Sequence, residues 1–150
     1  MGNIDLKDMS FRREIGQSCA CFNLRRAARL VTQRFDLKLR QSGLKANQFS
    51  ILMVSYDQEG ILLTKMARIL GMERTTLTRN LSLLERSGFI TIGSGEDRRE
   101  RRIMITQKGA CLLEKALPLW KEAQRELLES LGHETWNGML VGLKEIARKR

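Results

Sequence analysis

The chain has 150 residues, with 27 Lys or Arg against 17 Asp or Glu and a formal charge of +10. That length suits one domain with a real core, and the charge favours a polyanionic partner, either nucleic acid or an acidic membrane surface. No apolar run approaches the roughly 20 residues that span a bilayer, the polar start MGNIDLKDMSFRRE lacks the apolar stretch of a signal peptide, and three cysteines without scaffold spacing fit a reducing cytoplasm.

Residues 1–14 read as a loose arm or a short helix. From about Cys19 to Arg40, the residues Ala20, Leu24, Ala28, Val31, Phe35 and Leu39 recur at three and four and form one helical stripe, which Gly43 stops. A second helix is expected over about residues 46–57, with Phe49, Leu52, Met53 and Tyr56 on its apolar side. Thr64 is a candidate cap for a short helix over residues 65–70, which Gly71 closes. The next helix begins near Glu73 and ends by Ser87, with Leu77, Leu81 and Leu84 facing inward and Gly88 as its stop. Residues 89–92 and 102–105 are rich in β-branched side chains and read as short strands, joined by the turn residues 93–97. Thr106 can cap a long helix reaching about Ser130, bent at Pro118. A last helix, about residues 134–147, follows Gly132 and ends in a basic cluster. There is no internal repeat, low-complexity tract or interdomain linker. The first and the last two helices carry more apolar surface than the central pair can cover, and a dimer interface is the simplest use for it.

The chemistry concentrates in residues 63–106. Two short helices at a fixed angle place the second in a DNA major groove, where its N-terminal residues meet base edges. Here those residues are Arg74, Thr75, Thr76, Thr78, Arg79 and Asn80, with Thr64 at the start of the partner helix. The threonine hydroxyls can donate to phosphates or bases and their methyls can touch thymine. Arg79 can bind guanine O6 and N7, and Asn80 can read adenine if it faces the groove. Threonine is a mediocre helix former, so three in four positions point to a use rather than to an ordinary surface helix. The hairpin holds Arg98, Arg99, Arg101 and Arg102, and arginine suits a narrow minor groove. Asp97 would be repelled by DNA, so its expected role is to orient an arginine such as Arg99. Ten basic and five acidic residues lie between Thr64 and Lys108, half of the net charge. Solubility alone, or a solvated charge run, is the blander explanation of that excess.

Rival classes fit less well. A winged-helix protein-interaction module would carry an acidic or apolar recognition helix, and a peripheral membrane protein would show a basic amphipathic helix with exposed Trp or Phe. A non-specific DNA-binding protein would use the charge without the threonine-rich helix. One His and three Cys give no zinc spacing, and neither a cofactor nor a metal is expected. No nucleophile–base pair, phosphate loop or paired carboxylates suggest catalysis.

The segment LTKMARILGMERTTLTRNLSLLERSGFI, the wing EDRRERRIMIT and the QKG that opens the long helix resemble the MarR family of bacterial regulators. The family wing's Asp-x-Arg falls on Asp97-Arg98-Arg99. The segment NLRRAARLVTQRFDLKLRQSGLKANQFSIL is also similar to the family's first helix and the Gln-containing start of its second. The likeness covers roughly residues 19–148. It implies a mainly α fold with a small β-hairpin wing, a winged helix–turn–helix flanked by dimerisation helices. The chain would be a single domain over residues 1–150, with dimerisation helices at about 10–45 and 107–150 and a DNA-binding lobe at about 46–106. It also implies a homodimer on a pseudo-palindromic DNA operator, acting as a repressor in the cytoplasm, without enzymatic activity or a membrane partner. Release would follow binding of a small aromatic ligand or oxidation of a cysteine.

Two features bear on that signal. Cys19 and Cys21 lie at the start of the first long helix, where the helix dipole favours a thiolate. Cys21-Phe22 resembles the Cys-Phe of the family's organic-hydroperoxide sensors. Those sensors hold the thiol with tyrosines, and this chain has only Tyr56. Residues two apart on a helix do not face each other, so a Cys19–Cys21 disulfide needs a non-helical turn. Small buried hydrophobe is the alternative fate of these cysteines. Phe49, Met53, Tyr56 and Trp120 are candidate pocket residues, although such side chains at helical spacing also serve as core.

Overall fold

The computed structural model describes residues 9–58, 60–94 and 100–148. The wing-tip residues Asp97, Arg98 and Arg99 therefore lie outside the described residues. Contacts divide the chain into two compact units, Met1–Arg34 and Phe35–Arg150.

In the first unit, helix α1 (Met9–Ser18) ends at a corner, and α2 (Ala20–Leu39) begins there. Asn23 builds the corner. Its side-chain nitrogen lies 3.0 Å from the Cys19 carbonyl oxygen and 3.3 and 3.4 Å from those of Gly16 and Gln17, so it serves orphan carbonyls at the end of α1. The expected apolar stripe of α2 divides. Ala20, Leu24 and Ala28 are exposed and Val31 is half-buried, while Phe35 and Leu39, in the second unit, are buried.

The second unit holds the main core. After a 3₁₀ turn (Arg40–Ser42), Gly43 adopts a left-handed conformation at φ 80° and releases the chain into α3 (Ala46–Asp57). Two side chains serve the start of α3: Asp36 Oδ1 accepts the Ala46 N–H at 2.7 Å, and Gln48 Oε1 accepts the Lys45 N–H at 3.0 Å. Strand β1 (Ile61–Leu62) leads into α4 (Leu63–Leu70), and α5 (Arg74–Arg86) follows a tight turn. Strands β2 (Ile90–Ser94) and β3 (Arg101–Ile105) form the wing. The antiparallel sheet runs in the order β1-β3-β2, with Ile61 and Ile92 both opposite Ile103. The two-residue β1 is too short to show a strand period and is not expected from the sequence.

Leu39, Phe49, Leu52, Met66, Leu77, Leu81, Leu84, Ile90, Ile103 and Leu113 close this core. Helix α6 (Gln107–Leu131) contains Pro118, and α7 (His133–Arg148) ends the described chain. Lys38 bridges Glu122 at 2.8 Å and Glu126 at 2.7 Å, tying the end of α2 to α6. Hydrogen bonding within this cluster raises the pKa of Lys38 and lowers that of Glu122.

A close junction fixes α6 to the end of α5. Thr106 Oγ1 accepts the Gly109 N–H at 3.1 Å and donates to the Gly88 carbonyl at 2.7 Å, and the Thr106 N–H donates to the Phe89 carbonyl at 3.0 Å. Lys108 Nζ donates to the Ser87 carbonyl at 2.8 Å and stands 5.0 Å from the centre of the Phe89 ring. A Cβ on Gly109 would overlap the Phe89 carbonyl oxygen, which accounts for a glycine inside the first turn of a helix.

Candidate nucleic-acid interface

The reading head is set by the turn between α4 and α5. Gly71, left-handed at φ 62°, ends α4, and the Met72 N–H returns to the Ala67 carbonyl at 3.0 Å. Leu77, Leu81 and Leu84 are buried as expected and define the inner side of α5. At 100° per residue the opposite side carries Thr75, Arg79, Ser82 and Arg86, all exposed. The side chains of Arg74, Thr75, Thr76 and Arg79 make no hydrogen bond or ion pair among the described residues, so their donors are available.

Three expectations change in detail. Thr64 does not cap α4: the helix starts two residues earlier, at Leu63 with Leu62 as N-cap, and Thr64 is exposed in the first turn. Thr78 and Asn80 are half-buried and turn back on their own helix. The Thr78 hydroxyl donates to the Arg74 carbonyl at 2.8 Å, and Asn80 Nδ2 donates to the Thr76 carbonyl at 2.9 Å. Thr78 keeps its acceptor lone pair and methyl, and Asn80 must rotate away from Thr76 to present its amide to adenine. Arg102 is committed elsewhere: its Nη1 donates to the Gly60 carbonyl at 3.0 Å and holds the turn before β1. Arg101 is exposed and shares a cleft with Thr64 and Arg74. Ser82 and Arg86 share this outer side, and both bond back to their own helix, Ser82 Oγ to the Thr78 carbonyl at 3.0 Å and Arg86 Nε to the Ser82 carbonyl at 3.2 Å. They follow Thr75 and Arg79 at a spacing of seven, and the helical period that marks the inner leucines also marks them.

The candidate pocket residues are partly brought together. Phe49, Met53 and Trp120 line a groove of about 270 Å³ with Val54, Leu70 and Leu117. Phe49 and Trp120 stack at 5.9 Å with an interplanar angle of 10°, and Phe35 tilts against Trp120 at 6.5 Å. Tyr56 is not in the groove. It lies on the last turn of α3 and is 55% exposed, although its neighbour Ser55 is buried.

Cys19 occupies the position before α2, where its sulfur accepts the Phe22 N–H at 3.5 Å. Cys21 is exposed in the first turn, and Cys111, also exposed, accepts from Gln107 Nε2 at 3.7 Å. Among the described residues no group of His, Cys, Asp and Glu could hold a metal ion, and no helix is long and apolar enough to cross a membrane.

Two short helices at a tight turn, a basic outer face on the second and a two-stranded wing in a three-stranded sheet define a winged helix–turn–helix. The MarR family model matches residues 42–100. The organic hydroperoxide resistance transcriptional regulator of Bacillus subtilis is 32% identical over 100 residues, 66% of this chain and 68% of its own. The M. tuberculosis transcriptional regulator MosR, solved in complex with DNA, superposes with a TM-score of 0.80 at 39% identity, over 88% of this chain and 96% of its own. CouR of Rhodococcus jostii RHA1, a transcriptional repressor solved with p-coumaroyl-CoA, has a TM-score of 0.81 at 26% identity, over 97% of this chain and 100% of its own. The chain belongs to the MarR family of DNA-binding transcriptional regulators, whose members here are regulators and not enzymes.

Proposed function

We propose that the protein is a homodimeric repressor that reads a pseudo-palindromic operator through the outer face of α5, with the wing on the adjacent backbone. The observation that carries the DNA reading is the set of uncommitted donors on Arg74, Thr75, Thr76 and Arg79, opposite a face closed by three buried leucines. Arg98 and Arg99, oriented by Asp97, are assigned to the minor groove, and Arg101 to the backbone at the wing's base. The dimer is supported by α7, which has no buried residue. It nevertheless presents Met139, Leu143 and Ile146 to solvent on one stripe with Trp136. A second copy would cover that stripe and the exposed start of the α2 stripe. Such a molecule acts in the cytoplasm, where its operator and reducing conditions coexist.

For release we assign thiol oxidation at Cys19, with Cys21 beside it. The Phe22 N–H donates to the Cys19 sulfur and fixes its position, and the similarity to an organic hydroperoxide regulator supports thiol oxidation, with its Cys-Phe likeness falling on Cys21. A peroxide oxygen adds to the sulfur to give a sulfenic acid, and the other oxygen leaves as hydroxide or alkoxide. The second reading, release by a small aromatic ligand, is favoured by the groove beside the stacked Phe49 and Trp120.

Footprinting on the DNA upstream of the protein's own gene tests the dimeric reading. Two protected half-sites roughly 34–36 Å apart, or a multiple of that, are expected from a two-fold reader. A single protected half-site would remove the dimer from recognition.

A further inference from the structure

The reading face carries an acid where phosphates are expected. Glu100 stands at the base of the wing, half-buried. It lines a cleft of about 170 Å³ with Thr64, Arg74 and Arg101, between Leu62 and Leu63. On its other side it borders a second cleft with Glu85 and Ser94. Two guanidiniums and a hydroxyl form a donor set suited to a DNA phosphate. No side chain caps α4 at the same place, so its first N–H groups add to that set. A carboxylate offers these donors the same kind of charged oxygens that a phosphate does. Yet Glu100 forms no ion pair or hydrogen bond among the described residues, so neither the wing nor α4 depends on it for a contact.

We infer that Glu100 is a charge gate on DNA affinity: its unpaired carboxylate repels backbone phosphate from the cleft that Arg74 and Arg101 line. The inference rests on the reading that this face meets DNA. Sequence-independent affinity comes from phosphate neutralisation, and a chain of charge +10 has this in excess. An acid inside the phosphate cleft lowers that term on every duplex and leaves the base contacts of α5 to carry a larger share. It also lets a released molecule leave the DNA instead of remaining on its charge.

The test replaces the charge and keeps the shape. Glu100→Gln and Arg79→Ala are compared with the native chain on a random-sequence duplex and on the duplex upstream of its own gene. At about 0.1 M salt, Glu100→Gln should bind both duplexes several-fold tighter. The slope of log affinity against log salt should steepen by about one, the signature of one further phosphate engaged. Unchanged or weaker binding to both overturns the gate, and so does tightening on one duplex alone, because a phosphate effect does not depend on sequence. If Arg79→Ala loses operator affinity while Glu100→Gln changes nothing, only the gate fails. If neither variant changes binding, the assignment of this face to DNA fails and the gate falls with it.

Discussion

Cys19 illustrates how much one side chain's surroundings decide. It sits outside α2, held by the Asn23 corner, with a backbone N–H directed at its sulfur, whereas Cys21 two residues on lies in the helix and faces solvent. Cys19→Ser should abolish the loss of DNA binding that mild peroxide causes in the native chain, while Cys21→Ser should retain it, as read by fluorescence anisotropy. Release of Cys19→Ser by peroxide at the native dose would remove Cys19 as the sensor and pass that role to Cys21 or Cys111, whereas a native chain indifferent to peroxide would leave the aromatic groove as the stronger account. At this scale the sequence was only partly legible. Spacing identified Arg79 and the three inward leucines of α5, because burial follows the helical period. It did not show that Thr78 and Asn80 bond back to their own helix or that Arg102 holds Gly60, since those choices depend on which carbonyl lies within reach in three dimensions.

The elements were the most legible part. The span expected for α3 coincides with Ala46–Asp57, and Gly43, Gly71 and Gly88 stop their helices with positive φ. Strand β1 escaped because two residues carry no period; it exists because Ile61 pairs with Ile103. Tyr56 shares a helical side with Phe49, two turns further along α3, but is exposed and outside the groove, a difference that periodicity alone does not express. The junction of α5 with α6 yields a prediction about stability. Gly109→Ala forces a Cβ against the Phe89 carbonyl oxygen, an overpacking that costs about 2 kcal/mol. Thermal unfolding followed by circular dichroism should fall by roughly 4–8 °C. An unchanged midpoint would mean that the first turn of α6 yields without cost. Because Thr106 and Lys108 bind the carbonyls of Gly88 and Ser87, loosening this junction should also impair operator binding.

For the molecule as a whole, the apolar stripe of α7 and the charge on the reading head divide the work. The stripe runs through Met139, Leu143 and Ile146, and paired charges there should separate the copies. Leu143→Asp with Ile146→Asp is expected to sediment as a monomer, to keep its helical content and to bind the operator near its non-specific level. A dimer that survives both changes would place the interface elsewhere. Operator affinity should also fall steeply with salt, because phosphate contacts release counterions.

The most direct measurement is anisotropy binding of the native chain and Arg79→Ala to the duplex upstream of the protein's own gene, against a scrambled duplex of the same composition. Specific recognition through α5 predicts that the native chain prefers the upstream duplex by roughly 10³-fold or more. Arg79→Ala should lose about 1–3 kcal/mol on that duplex and little on the scrambled one. Equal affinity of the native chain for both duplexes would contradict the account, because charge alone would then be carrying the binding.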